Sequence, residues 1–388
     1  MTNSLPDEHQ SGACKLITEQ NNPVIRHSAS NSVHDILHAV RTYLDMDVAF
    51  VSEFVGGRRL FRYVDSKWIG NPVRETNDGP FISVPILLAD GSIYGALCCL
   101  NHSPGIVLDK RDLSLMRVFA GLTGKMIDRE RALSVTLASK HDQIRRILSG
   151  DLLFMVYQPI FDLHSGQITG FESLARFADS PVRTPDLWFD DAHEAGLGIE
   201  LELRAVEIAL SALPRFSENT DLAINASPDT VLDHRFSQML DRLPSLNRVV
   251  LEITEHSAVE RYEAMGARLK AYRERGLRIA VDDAGAGYAS FKHILNLGPD
   301  LIKLDMSLTR DINADPARRA LAAALIHFCC DTGSQLIAEG VETAAEVATL
   351  MELGVKKAQG FFLGAPMSVS GLADSGMLIS APATTSYE

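Results

Sequence analysis

The residues best suited to chemistry lie at the ends of successive strand candidates in the second half of the chain. They are acids, amides and one lysine: Glu172, Asn225, Glu252, Asp282 with Asp283, Lys303, Glu339 and Gln359. A single acid at a strand end means little, because acids are common beside loops. Several carboxylates that converge on one mouth are different, because their mutual Coulomb repulsion needs hard cations to offset it.

The composition of this donor set predicts the kind of ion. Carboxylates and an amide oxygen, without a histidine or cysteine among them, favour Mg²⁺ or Mn²⁺ over zinc. Adjacent Asp282 and Asp283 can direct one carboxylate inward while the other reaches a second ion above it. Two ions about 3.5–4 Å apart suit the clamping of a phosphodiester, with a water held between them.

Lys303 occupies the strand candidate 301–304, where period-two alternation directs it to one face of the strand. A lysine that points into a barrel is costly unless acids or substrate pair with it. Taken alone, a lysine in this position is more often part of a salt bridge at the rim. The sequence leaves both interpretations open.

The elements that must position these residues form an alternating pattern from Asp151 onward, which predicts an α/β fold of the (β/α)₈ TIM-like barrel class. The strand candidates are 152–158, 168–174, 222–225, 249–253, 278–282, 301–304, 335–338 and 357–363. Helical patterns fill most gaps, for example 228–240, 258–275, 317–329 and 344–353. The turn 164–166 is too short for a parallel crossover, so we expect an antiparallel first strand.

A small α+β module with an antiparallel sheet is predicted ahead of the barrel. Residues 33–44 have the apolar spacing of an amphipathic helix. Two hairpins are predicted, 48–64 around Gly56-Gly57 and 81–100 around Asp90-Gly91. The module has no acid cluster, histidine pair or glycine-rich phosphate loop in its sequence, so no catalysis is assigned to it.

A long helical pattern with one apolar stripe follows, and its length suits a mechanical connector between modules. Gly150 is interpreted as its end. The stripe either docks on its own domain or pairs with a second copy of the chain. The predicted organisation is a polar leader at 1–30, the small module at 31–107, the long helix at 108–150, the barrel at 151–370 and a flexible tail at 371–388.

Length and charge exclude several classes of function. The 388 residues exceed the roughly 250–300 at which one core stops growing, so two domains are expected. The net charge of −13 argues against binding to nucleic-acid polymers or anionic membranes. No signal peptide or membrane-spanning run is visible, and the odd cysteine count fits a reducing compartment. We therefore expect a cytoplasmic protein without membrane insertion.

The strand-end motifs resemble those of EAL-type cyclic di-GMP phosphodiesterases. They are YQPI at 157–160, ESLAR at 172–176, LAINAS at 222–227, LEITE at 251–255, DD at 282–283, IKLD at 302–305, IAEGVE at 337–342 and QGF at 359–361. The resemblance covers about residues 145–370. It implies a bacterial hydrolase that opens one phosphodiester of cyclic di-GMP to give linear pGpG, with two Mg²⁺ or Mn²⁺ ions per active site.

The resemblance also implies a role for each motif residue. Metal ligands would be Glu172, Asn225, Glu252 and Asp282 for the first ion, and Asp282 with Asp283 for the second. Lys303 and Glu339 would position and deprotonate the attacking water. Gln158, Leu174 and Arg176 would contact the substrate, Arg176 through a phosphate. Gln359 would orient the site and Glu255 would brace the loop after the fifth strand, with turn bonding and helix-start capping as alternatives for these two.

Two departures from the family pattern qualify this prediction. Ser173 replaces the namesake alanine, and we expect little effect. The loop Ala284–Ser290 lacks a phenylalanine and a threonine that relatives usually have, in a loop that links metal binding to dimer contacts there. Hydrolysis by a homodimer, formed through the barrel with or without the long helix, is favoured. A non-hydrolysing cyclic di-GMP receptor or protein-interaction module is the alternative, and an unrelated metal-dependent phosphodiesterase is a third possibility.

The N-terminal module resembles a GAF sensor domain, most clearly over Phe81–Leu100. The segment Ser66–Pro80 is short, whereas relatives carry extra helices there that wall a ligand pocket. The resemblance therefore implies a regulatory module that acts through dimerisation, without a small-molecule site. Cys98 and Cys99 are interpreted as buried strand residues, with redox sensing as the alternative.

Overall fold

A computed structural model of the chain describes residues 28–55, 58–67, 79–102, 107–253, 262–284 and 294–377. The chain divides into two compact units, Met1–Thr136 and Leu137–Glu388. The predicted leader up to residue 27, the Gly56-Gly57 turn, Glu255 and tail residues 378–388 lie outside the described residues.

The first unit is a four-stranded antiparallel sheet with helices packed on one face. Its elements are α1 (Ser28–Tyr43), β1 (Val48–Val55), β2 (Arg58–Ser66), β3 (Phe81–Leu87), β4 (Ile93–Leu100) and the first part of α2 (Lys110–Ser149). The strand order is β2-β1-β4-β3. Leu37 of α1 and Met116 of α2 join one apolar cluster with inward-facing strand residues. Cys98 and Cys99 are buried in β4, as predicted.

The second unit contains a closed eight-stranded barrel, which confirms the predicted fold class. Its strands are β5 (Leu153–Asp162), β6 (Ile168–Phe177), β7 (Asp221–Ala226), β8 (Val249–Ile253), β9 (Arg278–Ala284), β10 (Leu301–Leu304), β11 (Gln335–Ala338) and β12 (Lys357–Ala358). They close in the order β10-β11-β12-β5-β6-β7-β8-β9. Strand β5 runs antiparallel to both neighbours, whereas the other pairs are parallel.

Helices surround these strands. They are α3 (Pro185–Glu194), α4 (Gly198–Ser211), α5 (Pro228–Leu232), α6 (His234–Asp241), α7 (Tyr262–Glu274), α8 (Met306–Thr309), α9 (Pro316–Thr332), α10 (Ala344–Glu352) and α11 (Val369–Asp374). The single helix predicted over 228–240 is two helices. Asp233 separates them because its extended backbone and its side chain, which accepts from the Arg235 amide, cap α6.

Other predicted boundaries also shift. Strand β12 is much shorter than the predicted 357–363, whereas β5 and β6 extend beyond their predicted ends to Asp162 and Phe177. Helix α11 continues past residue 370 and buries Leu372, so the ordered barrel unit includes part of the predicted tail. Within the described ranges, no helix has both the length and the apolar content to cross a membrane.

One layer of apolar side chains fills the barrel interior below the C-terminal mouth. It consists of a buried residue from each of six strands: Ile160, Ala223, Val250, Ala280, Leu301 and Ile337. Because side chains on a strand return to the same face every second residue, the next inward position lies about 7 Å further along. In the parallel strands that direction leads to the C-terminal mouth of the barrel.

Candidate active site

The next inward layer is polar. Two residues beyond the apolar layer, in the direction of the mouth, the chain places Gln158, Asn225, Glu252, Asp282, Lys303 and Glu339. Glu172 on β6 joins them, since it pairs with Gln158 across the β5–β6 ladder. The alternation that buries the apolar layer therefore also brings these predicted site residues to one mouth.

Lys303 lies at the centre of this layer. Its Nζ is 2.7 Å from Glu339 Oε1, 2.9 Å from Glu252 Oε2, 3.2 Å from Glu172 Oε1 and 3.2 Å from Asp282 Oδ1. With 1% of its surface exposed, Lys303 is inside the barrel and is not a solvent-facing rim residue. We call these five residues the acidic cluster. If all are ionised, four carboxylates around one ammonium leave three excess negative charges.

Burial and charge shift the proton affinities of the cluster. Burial, reinforced by neighbouring carboxylates, raises the pKa of Glu252 and of Glu339 well above the ordinary value, although Lys303 acts in the opposite direction. For Lys303, burial lowers the pKa, but the surrounding carboxylates outweigh this effect and raise it well above the ordinary value. Lys303 is thus a protonated donor, while Glu339 holds a proton more readily than an exposed acid.

Two amide side chains orient the carboxylates. Gln359 Nε2 donates to Glu172 Oε2 at 2.5 Å and to Glu339 Oε1 at 3.0 Å. Asn225 Nδ2 approaches Glu172 Oε1 at 3.4 Å. The Gln359 Oε1 atom is buried and has no hydrogen-bond partner in the part of the chain that the structure describes. Gln359 therefore orients Glu172 and Glu339 and leaves an oxygen available for a further donor or cation.

The residues present fit a divalent cation. One oxygen from each of Glu172, Glu252 and Asp282 lies within 4.8 Å of the others. Oxygen ligands of one octahedral Mg²⁺, at about 2.0–2.1 Å from the ion, are up to about 4.2 Å apart, so a small contraction would complete the set. The oxygen-only donors and the excess negative charge favour the same kind of ion. Asp283 has its backbone in β9, and its side chain lies outside the described residues.

The predicted substrate residues lie on the β5–β6 ladder. Gln158 is buried and donates through Nε2 to the Gly364 carbonyl at 3.2 Å, next to the loop that follows Gln359. Leu174 and Arg176 follow Glu172 at every second position, so they share its face. Gln158 therefore lies beside the acidic cluster, and Leu174 and Arg176 follow at increasing distance along the same face.

Sequence reasoning missed the residue that organises the loop carrying Glu339. Glu346 is buried, and its carboxylate accepts from the backbone amides of Asp311, Glu342 and Thr343 at 3.0, 2.8 and 2.9 Å. Thr343 returns a bond to the Glu346 amide, which completes a capping box at the start of α10. The spacing T-x-x-E was available as a signal for this arrangement.

Ser173 is a second residue whose structural role the sequence did not predict. Its hydroxyl is buried between β6 and β7 and donates to the Ala223 carbonyl at 2.6 Å. The regular β6–β7 ladder ends at the neighbouring pair Glu172–Ala223. Ser173 therefore joins the strand that carries Glu172 to the one that carries Asn225 through a bond that alanine could not form.

The fold and the site together define a class of protein: a (β/α)₈-type barrel with one antiparallel strand and, at its mouth, a cluster of carboxylates that fits a divalent cation. A family profile described as EAL domain matches residues 141–366, more than half of the chain. The chain belongs to the EAL domain family.

Two curated relatives and one solved structure illustrate the similarity. The chain is 32% identical over 235 residues to cyclic di-GMP phosphodiesterase PA2567 of Pseudomonas aeruginosa, covering 57% of this chain and 39% of that one. It is 30% identical over 250 residues to the probable cyclic di-GMP phosphodiesterase PdeI of Escherichia coli, covering 61% and 32%. The aligned region therefore spans less than half the length of either relative.

The solved structure is that of BlrP1 of Klebsiella pneumoniae in a manganese and cyclic di-GMP complex. It is 28% identical with a TM-score of 0.51, and the match covers 56% of each chain. This similarity supports the barrel assignment independently of the strand order.

Proposed function

We propose that this chain hydrolyses one phosphodiester bond of cyclic di-GMP to linear pGpG in a reaction that depends on divalent cations. The observation that carries the proposal is the acidic cluster around Lys303, buried at the mouth of an EAL barrel. Relatives with names such as cyclic di-GMP phosphodiesterase PA2567 support the choice of substrate.

We assign the first ion, Mg²⁺ or Mn²⁺, to Glu172, Asn225, Glu252 and Asp282, and a second ion to Asp282 and Asp283. When bound, such ions offset phosphate charge and lower the pKa of water. The closeness of the three carboxylate oxygens and the unpartnered Gln359 oxygen support this assignment. The same carboxylates would otherwise repel an anionic dinucleotide, so activity is expected to depend almost wholly on the cations.

We assign proton transfer to Glu339 and orientation of the attacking water to Lys303. Burial raises the pKa of Glu339 well above the ordinary value, so this carboxylate binds a proton more strongly than an exposed acid, as a group that takes a proton from water requires. The Lys303 ammonium, 2.7 Å from Glu339 Oε1, can donate to a water that Glu339 deprotonates. Gln359 holds Glu339 in place through its 3.0 Å bond.

The substrate contacts are assigned to Gln158, Leu174 and Arg176. The three side chains share the face of the β5–β6 ladder that carries Glu172. A guanidinium is suited to a phosphate because its planar donors match two oxygens. Leu174 would offer an apolar surface between the acidic cluster and Arg176.

We further propose that the N-terminal module is GAF-like and that helix α2 conveys its state to the barrel. The antiparallel sheet with α1 and α2 on one face supports the first part. For the second, the C-terminal part of α2 contacts the segment that follows β6. Lys140 Nζ is 2.5 Å from Asp191 and 2.7 Å from Glu194, and Gln143 donates to the Ser180 carbonyl at 3.2 Å. Because β6 carries Glu172, a shift of α2 would move the segment that follows β6 and thereby change the position of Glu172.

A homodimer is the oligomeric state that we propose, through the barrel and the long helix. The exposed residues Val118, Leu122 and Leu133 lie along α2 at spacings of four and eleven residues, which keeps them on one side of the helix. Such an apolar stripe suits pairing with a second copy. Sedimentation at micromolar concentration should give twice the chain mass of 42.4 kDa, whereas the single-chain mass would refute the dimer.

A cyclic di-GMP receptor without hydrolysis is the second candidate. It rests on the sequence of the Ala284–Ser290 loop, of which Ala284 lies within the described residues and is buried in β9. A receptor would bind cyclic di-GMP in Ca²⁺ and yield no pGpG in Mg²⁺ or Mn²⁺.

Three variants test the enzyme proposal. Glu172→Ala should abolish turnover, because it removes an ion ligand. Glu339→Gln should abolish turnover while cyclic di-GMP binding in Ca²⁺ stays within about threefold, since the shape is retained and the base is lost. Glu207→Gln is the matched control, an exposed α4 residue paired with Arg204, and should leave kcat unchanged. Full turnover by Glu339→Gln would refute the assignment of the base.

A further inference from the structure

Strands β5 and β6 continue beyond the barrel as a two-stranded ribbon. Their antiparallel pairing runs without interruption from Leu153–Phe177 to Ile160–Gly170. The parallel ladder between β6 and β7 ends at Glu172, and β5 pairs with β12 only at Phe161 and Asp162 in the described ladder. The outer parts, 153–157 and 173–177, are therefore held chiefly by each other, together with a bridge between Tyr157 and Met367.

The two faces of this ribbon differ. Leu153, Met155 and Tyr157 are buried in the core that the barrel shares with its helices. Because alternate residues of a strand face opposite sides, 154, 156 and 158 are on the other face. Directly paired residues of an antiparallel ladder share a face. The pairs on the site face are Gln158 with Glu172, Val156 with Leu174 and Phe154 with Arg176.

The three pairs on that face differ in the type of side chain that they carry. The innermost pair contributes an amide and a carboxylate of the site, the next pair is apolar, and the outermost pair sets an aromatic ring beside a guanidinium. Phe154 and Gln158 are four positions apart, about 14 Å at roughly 3.4 Å per residue. A phosphodiester at the acidic cluster would thus need a ligand that extends along the ribbon to reach the outermost pair, which favours a dinucleotide over a mononucleotide.

Both members of the outermost pair are available to a ligand. The Phe154 side chain is 43% exposed although it lies in a regular strand. Arg176 donates to the carbonyl of its neighbour Ala175 at 2.8 Å, and no carboxylate of the described chain lies within 4.0 Å of its guanidinium. An exposed apolar residue alone needs no explanation. Here the strand register places it next to an arginine that has no carboxylate partner among the described residues, on the face that leads to the site.

We propose that Phe154 is a substrate-binding residue that stacks on a purine base, next to the phosphate that the proposed function assigns to Arg176. The proposal rests on the hydrolysis of cyclic di-GMP proposed above and deepens it. Every base has a flat face that an aromatic ring can stack on, and loss of such a ring weakens binding by about 5- to 150-fold for each base.

The test compares Phe154→Ala and Phe154→Trp with the wild type in steady-state hydrolysis of cyclic di-GMP. The alanine variant should raise KM by about 5- to 150-fold with kcat within about twofold, because the ring contacts a base far from the reacting bond. The tryptophan variant should keep KM within about threefold of the wild-type value, since it retains a stacking surface. Phe81→Ala, which removes a similarly exposed phenylalanine from β3, is the matched control and should change neither constant.

Affinity measured without turnover separates stacking from a structural role. Phe154→Ala in the Glu339→Gln background should weaken calorimetric binding of cyclic di-GMP in Ca²⁺ by the same factor as KM. An unchanged KM, or a fall in kcat at constant KM, would overturn the role of Phe154 and leave the proposed hydrolysis intact. A wild-type protein that neither binds nor hydrolyses cyclic di-GMP would refute the proposed function itself, and the stacking role with it.

Discussion

Replacement of Lys303 by methionine is the sharpest test of how the acidic cluster is held together. The change keeps the length and apolar stem of the side chain and removes the ammonium that four carboxylates approach within 3.2 Å. Breaking a buried ion pair costs about 3–5 kcal/mol, because an uncompensated charge remains inside the protein. For a domain of about 150–250 residues, 1 kcal/mol corresponds to about 2–4 °C in Tm. The barrel transition should therefore fall by roughly 6–20 °C in EDTA.

Divalent cations should reverse much of this loss. An ion that binds only the native state stabilises it by about 2.7 kcal/mol at 100 times its Kd. The variant has lost the ammonium that competes for the same oxygens, so Mn²⁺ should raise its Tm by more than it raises that of the wild type. Thermal unfolding followed by circular dichroism, with EDTA or with Mn²⁺, measures both effects on each protein.

Lys140→Met supplies the matched control. Lys140 also has carboxylate partners, Asp191 and Glu194, but it lies at the surface of the second unit. Its loss should cost about 1 kcal/mol or less and should not depend on Mn²⁺. If Lys303→Met unfolded within about 2 °C of the wild type in EDTA, the argument from a buried, charge-compensated cluster would be wrong.

Three further outcomes are expected. Despite its burial, backbone amide donors lower the pKa of Glu346 below the ordinary 4.5, so its stabilisation is present above that pH and is lost as the pH falls further. Urea unfolding should accordingly show Glu346→Gln to be less stable than the wild type at pH 7, with a difference that shrinks as the pH falls below 4.5, and a difference that does not change with pH would contradict this. Gly360→Ala should destabilise the barrel and reduce kcat, because a Cβ would lie 2.2 Å from the Val341 backbone; unchanged melting would contradict this. Ser173→Ala should cost about 1 kcal/mol through the lost bond to Ala223, with kcat within twofold, and a dead enzyme would contradict it.

Most of the site could be predicted because one periodicity produces both the core and the polar layer. Val250 and Glu252, for example, are separated by the two-residue period that keeps both on the inner face of β8. The short turn at 164–166 likewise sufficed for the antiparallel direction of β5. What the sequence could not decide was the environment of Lys303, since a rim ion pair and a buried cluster have the same alternation. That distinction depends on which other strands close around it.

The β5–β6 ribbon beyond the barrel also could not be predicted from the sequence, because it too depends on how the strands assemble. The predicted strand 168–174 ends before Arg176, so it does not predict the register that pairs Arg176 with Phe154. Pairing register beyond the barrel is a tertiary property, because it depends on where the ladders to β7 and β12 stop. The break at Asp233 is local, since its side chain caps α6, but the apolar spacing of 228–240 continues through it and predicts a single helix.

The proposed reaction is the cleavage of cyclic di-GMP at this barrel mouth with the help of divalent cations and the Glu339 carboxylate. The most direct measurement is chromatography of the products after incubation of the full chain with cyclic di-GMP in Mn²⁺ or Mg²⁺. We expect linear pGpG to accumulate with the wild type, to disappear when EDTA is added, and to be absent with Glu339→Gln. Failure of the wild type to form pGpG with either ion at high enzyme concentration, while cyclic di-GMP still binds, would refute hydrolysis and identify the chain as a receptor.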